Sequence, residues 1–126
     1  MKHGLFAVAV VLVLASGALR AHHGYTAFFT PEERTVAVAG TLESVLYANP
    51  HLVMKIRSAD DTVYTVTWQA ANWVERNAGV TKATFNVGDT LVVVGAPSRD
   101  PASREVTLIQ EVRRPSDGWN WKNASR

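Results

Sequence analysis

Cysteine is missing from all 126 residues. That excludes a disulfide, a thiolate metal site and a cysteine nucleophile. A domain without bridges must hold itself together through its apolar core, which is feasible at about 100 residues. Net charge is scarce as well. Two of the 13 Lys and Arg residues, Lys2 and Arg20, lie before residue 22, where there is no Asp or Glu. The other 11 face 11 acidic residues, so the body of the chain is formally neutral. A nucleic-acid-binding domain needs a basic footprint, and this body has none. A Gly-rich phosphate loop and a serine in a nucleophile elbow are also absent. These gaps favour a binding protein over an enzyme and exclude a nucleic-acid partner.

The long apolar run that is present lies at the start. Met1-Lys2-His3 is a short basic opening, and Leu5 to Ala15 is apolar throughout. Small residues follow, ending at Ala21. This is the pattern of a secretory signal peptide over residues 1–21, and it predicts a periplasmic or secreted protein. The apolar run is well short of the ~20 residues of a membrane-spanning helix, so no stable span is expected after cleavage. Two cleavage points compete, after Ala18 and after Ala21. The second would make His22 the new N-terminal residue.

Residues 22–34 read as a lead-in in which Phe28 and Phe29 tuck against the domain and Thr30-Pro31-Glu32-Glu33 turns. Residues 35–114 read as the domain, and 115–126 as a tail. Thr35 to Tyr47 is the first strand. Its apolar phase shifts from Val36, Val38 and Leu42 to Val45 and Tyr47, which is the mark of a bulge. Residues 51–58 and 62–69 form a hairpin around Ala59-Asp60-Asp61. Leu52, Met54 and Ile56 share one face of it with Tyr64, Val66 and Trp68. Residues 70–79 switch to helical spacing, with Gly79 fitted to the left-handed closing position. Thr90 to Ala96 is an apolar strand, predicted to be buried on nearly both sides. Arg104 to Arg113 is the fifth strand. The order predicts a mainly β protein: a small OB-like five-stranded barrel with one short helix between strands 3 and 4.

Tyr47-Ala48-Asn49-Pro50-His51 joins the first two strands. Proline fixes φ and lacks a donor, so a sharp corner is expected, with His51 at the first position of the next strand. In an OB-like barrel the loop holding this corner and the Pro97–Ser103 loop flank the usual binding edge.

Ala21-His22-His23-Gly24, Asn49-Pro50-His51, Val87-Gly88-Asp89 and Val94-Gly95-Ala96-Pro97, in this order and spacing, resemble a family of small exported bacterial proteins classed only as a domain of unknown function. Members of that family often read His-His-Ser where this chain has His-His-Gly. The resemblance implies no activity. A remoter similarity to exported bacterial OB-fold proteins linked to envelope stress implies a binding role.

The histidines give the sharpest chemical expectation. Beyond the leader they are His22, His23 and His51. A cut after Ala21 would offer the His22 imidazole and its free α-amine together, with His51 adding a third nitrogen. Sulfur-free, nitrogen-rich sites suit Cu(II), then Zn(II) or Ni(II). The ligand types resemble the histidine brace of copper oxygenases. The plainer alternative is a mobile chain end, with His51 satisfying the turn backbone. The competing expectation is a metal-independent module that binds an envelope ligand or protein on the strand 2–3 face, using Tyr47, Asn49, Lys55 and Arg57. Aromatic stacking by Tyr47, Tyr64, Trp119 and Trp121 belongs to the same class. For Tyr64, Trp68 and Trp73, packing in the core is the simpler role, and Trp119 and Trp121 would cover a barrel edge.

Overall fold

The computed structural model describes residues 24–124. The leader, both of its cleavage points and the His22-His23 pair lie outside them. A 3₁₀ turn, Tyr25–Ala27, opens the described chain. It is followed by β1 (Val36–Leu46), β2 (Val53–Arg57), β3 (Val63–Thr67), α1 (Ala71–Ala78), β4 (Thr90–Pro97), β5 (Glu105–Arg114) and β6 (Trp119–Lys122). No helix among these residues is long and apolar enough to cross a membrane.

The strands lie in the order β3-β2-β1-β4-β5-β6. All neighbours in that order are antiparallel. A parallel pairing of β3 with β5, through Thr65 to Glu105 and Val66 to Val106, closes the first five strands into a barrel. This is the expected OB-like architecture, with the helix between β3 and β4.

The bulge in β1 falls between Leu42 and Ser44. Val38 and Leu42 face the core, Glu43 and Ser44 both face out, and Val45 turns partly inward again. The extra residue lets one strand bend around two sides of the barrel. Gly40 lies just before it. A Cβ at Gly40 would come within 2.1 Å of the Arg57 carbonyl oxygen, so only glycine lets the two backbones approach this closely.

The hairpin has the alternation its residues dictate. Leu52, Met54, Ile56 and Val66 are fully buried, and Trp68 is nearly so. The apolar run in β4 is less enclosed than its composition suggests. Leu91 and Val93 are sealed in the core, whereas Val92 and Val94 are only half-covered on the outer face. Helix α1 sends Val74 into the same core. It ends at Gly79, in the left-handed conformation at φ 66°, with Gly79 N–H donating to the Glu75 carbonyl and Val80 N–H to that of Val74. Both bonds satisfy carbonyls that the helix end would otherwise leave open.

The tail is not loose. Residues 119–122 form β6 on the second half of β5, from Glu111 to Arg114. Trp121 packs against Trp68 at 4.9 Å and edge-on to Trp73 at 6.3 Å, and Trp119 stands edge-on to Phe85 at 5.3 Å. The two tryptophans therefore cover an edge, and they do so as part of a sixth strand.

Candidate functional site

The corner between β1 and β2 is tied to α1. The Asn49-Pro50 peptide is cis. The helix begins after Ala70, whose side chain cannot cap it. The corner supplies the missing acceptors. The Ala48 carbonyl accepts the Ala71 N–H at 3.0 Å, and Asn49 Oδ1 accepts the Asn72 N–H at 3.3 Å. The Tyr47 hydroxyl reaches the far end of the helix, 2.9 Å from the Val80 carbonyl, with the Ala71 carbonyl and Glu75 Oε2 slightly farther off. Burial and the neighbouring Glu75 carboxylate hold the Tyr47 phenol above its ordinary value.

His51 emerges from this fixed corner. It precedes β2 by two residues, so the expected first position of the strand is two residues early, although Leu52 already exchanges backbone hydrogen bonds with Gln69 and Trp68. The Nδ1 atom of His51 lies 3.1 Å from the Trp68 carbonyl oxygen. A carbonyl only accepts, so Nδ1 carries the proton and donates. The lone pair of the neutral ring is then on Nε2. Metal-binding imidazoles are commonly oriented by such a bond.

His51 lines a cleft of about 790 Å³. One wall is the start of the described lead-in, Gly24 to Phe28. The opposite wall is the β4–β5 loop, with Ser98, Arg99, Asp100 and Ser103, and the floor includes Thr67, Glu105 and Thr107. The cleft thus lies between the two loops expected to flank the binding edge. The lead-in is strapped to that second loop. Phe28 bridges to Ser98, and Phe29 N–H donates to the Pro97 carbonyl at 3.0 Å. Thr30 and Glu33 exchange hydrogen bonds across the turn that follows. Asp100 and Glu105 bring two carboxylates to the cleft, while the one guanidinium, that of Arg99, is engaged by Glu33. Among the described residues no group of three or more His, Asp and Glu is placed to hold a metal ion.

The other candidate residues are elsewhere. Lys55 lies on the exposed outer face of β2 and donates to Thr65 Oγ1 at 2.6 Å. Arg57, on the same face, is paired with Glu43 and donates to the Asp61 carbonyl at 3.2 Å. Tyr47 lines a separate hollow of about 350 Å³ with Val45, Leu46, Thr81, Lys82 and Phe85. Tyr47 and Asn49 are therefore brought together at the helix, Lys55 and Arg57 on the outer face, and His51 alone at the cleft. Arg99 and Asp100 fall in the Pro97–Ser103 loop expected at the binding edge and Glu105 just beyond it, but no local pattern singles out any of the three as a site residue.

A model of a family of unknown function (DUF6152) matches residues 9–107. The chain belongs to this family. The DUF6152 match takes in every residue that lines the cleft, from Gly24 to Thr107, and stops before β6. No curated protein matches the chain.

Proposed function

We propose that this DUF6152 protein is an exported small binding protein for a transition-metal ion, copper first and zinc second, bound through His22, His23 and His51. The observation that carries the reading is that Gly24, the residue after His23, lines the same cleft as His51. The bond from His51 Nδ1 to the Trp68 carbonyl supports it, because it leaves the Nε2 lone pair for a metal. The carboxylates of Asp100 and Glu105 favour a cation in that cleft over an anion. Cleavage after Ala21 would add the α-amine of His22, which deprotonates far more readily than a lysine. Three nitrogens and no sulfur rank Cu(II) first.

Mass spectrometry of the mature N-terminus, with Cu(II) titration of the wild type and His51→Ala, tests the reading. A chain beginning at His22 and a weaker His51→Ala variant are expected. Cleavage after Ala18, or equal affinity in both proteins, removes the three-nitrogen site.

The second reading is a metal-independent module for an envelope ligand or protein. The exposed outer face of β2, with Lys55 and Arg57, favours it. Binding to envelope extract that survives a chelator and His51→Ala, and that is lost on changing Lys55, Arg57 or Tyr47, would select it.

A further inference from the structure

We propose that a hollow between α1, β5 and β6 is a binding site for one ring of a neutral sugar, with Trp73 and Trp121 against the ring face and Gln69 and Gln110 on the hydroxyls. The hollow has a volume of about 160 Å³ and adjoins the cleft, since Tyr25, Thr67 and Thr107 line both. His51 does not line it, and the inference stands apart from the metal reading. A space of this order takes a six-membered ring, as cavities of about 150 Å³ take benzene.

The lining has a consistent chemistry. Trp68, Trp73, Trp121 and Tyr25 give it aromatic surface. Among the described residues that line it, none carries a carboxylate, ammonium, guanidinium or imidazole. A charged ligand would lose water there and gain no counter-charge. The polar side chains are amides and hydroxyls, which both donate and accept. Gln110 Nε2 donates to the Leu108 carbonyl at 2.7 Å, and its Oε1 accepts from Asn123 Nδ2 at 3.4 Å. An amide has two hydrogens and two lone pairs, more than these two bonds consume. Gln69 stands exposed at the rim. Sugar hydroxyls also donate and accept, and the C–H face of a sugar ring is apolar enough to lie on an aromatic one.

The backbone and the core point the same way. Between the Val94–Glu111 and Ala96–Thr107 pairs, β4 spends one residue, Gly95, and β5 spends three. Leu108, in that bulge, takes φ 49°, a region that residues with a side chain rarely adopt. Bulges and strained residues of this kind re-aim side chains beside binding sites, and this one carries Leu108, Ile109 and Gln110 to the hollow. Trp68 is 3% exposed, and its indole N–H is buried with no hydrogen-bond partner. A buried donor left without an acceptor is uncommon and unfavourable. Trp121 lies beside Trp68, ring centres 4.9 Å apart, on a four-residue strand whose neighbour in the sheet is β5 alone. A shift of Trp121 would let a sugar hydroxyl oxygen reach that N–H.

The experiment titrates the mature protein with glucose, galactose and N-acetylglucosamine, read by calorimetry and by the indole N–H resonances. Cyclohexanol, glucuronate and glucosamine are the controls. The expected result is saturable, millimolar binding of at least one neutral sugar. The Trp68, Trp73 and Trp121 signals should shift, and that of Trp119, which does not line the hollow, should stay. Gln110→Ala should weaken binding about 2–10-fold, the range of one hydrogen bond. Trp73→Leu, which keeps apolar bulk without the ring, should weaken it too. His51→Ala should bind the sugar as the wild type does, whatever it does to copper. No shift with any of the three sugars overturns the inference. So does equal binding of cyclohexanol, which has no use for the amides, or of either charged sugar. Should Gln110→Ala fail to fold, Gln69→Ala, at the exposed rim, carries the same expectation.

Discussion

Asn49 Oδ1 accepts the N–H of Asn72 at 3.3 Å and so caps a helix that begins 22 residues farther along the chain. The cap comes from the corner because Ala70 offers no acceptor of its own. The corner and the helix therefore order each other. Loss of such a cap typically costs about 1 kcal/mol. Asn49→Ala is expected to lower the unfolding free energy by that amount, read from the shift of the urea midpoint at unchanged slope. Asn49→Asp should retain the cap and place a negative charge at the helix start, where it is favourable. An Asn49→Ala midpoint equal to the wild type would show that water replaces the cap at no cost.

Tyr47→Phe separates the two functional readings. It keeps the ring and removes the hydroxyl that meets the Val80 carbonyl at 2.9 Å. Stability should fall by about 0.5–1.5 kcal/mol, the usual net value of one hydrogen bond. Copper affinity should not change, because the Tyr47 hydroxyl is occupied by the helix and Tyr47 does not line the cleft. The module reading expects loss of ligand binding on changing Tyr47. Copper titration and binding to envelope extract, run on the variant beside urea unfolding, decide between them.

Gly40→Ala tests the close crossing of β1 and β2. The new methyl would lie 2.1 Å from the Arg57 carbonyl oxygen, which is backbone and cannot swing aside. Forced overpacking costs about 1–3 kcal/mol or more. Gly24→Ala is the control, since its methyl would meet nothing within 4 Å. Urea unfolding should show a marked loss for the first and almost none for the second. Equal midpoints would mean that the β1–β2 crossing yields freely.

The strap should loosen in acid. The Thr30 backbone N–H, helped by Arg99, holds the Glu33 carboxyl below its ordinary value of 4.5. The folded value is depressed, so this contact contributes fully above the ordinary value and is lost as pH falls through the folded one. Asp60 and Asp117 are depressed by their own partners and titrate in the same direction. The difference between the wild type and Glu33→Gln isolates Glu33. The wild type is expected to lose more of its urea midpoint than the variant between about pH 5 and pH 3. Parallel curves would refute a role for the charge.

Periodicity carried most of the barrel. The double step at Glu43 and Ser44 was visible because a bulge shifts the apolar phase, and Gly79 because one residue type tolerates its φ. β6 was not visible. Four residues, Trp119–Lys122, are too few for an alternation to register, and their pairing depends on an edge of β5 left open beyond β3. The cleft was readable only as two loops. The wall formed by the lead-in is held by contacts that span 66 and 71 positions, such as Arg99 to Glu33 and Arg99 to Phe28, and a lone arginine in a polar loop announces neither. His51 was found because it is rare and sits beside a proline. Its bond to Trp68 depends on how two strands meet, which no local pattern records.

β5 runs as a common rail with two different passengers on one side. Its first residues carry the parallel seam to β3, and its last four carry β6. A slip of one residue along this rail would break both attachments at once and turn Val112 from the interior to the outside. A single strand thus makes misalignment doubly unfavourable, and a chain with no covalent cross-link holds one alignment.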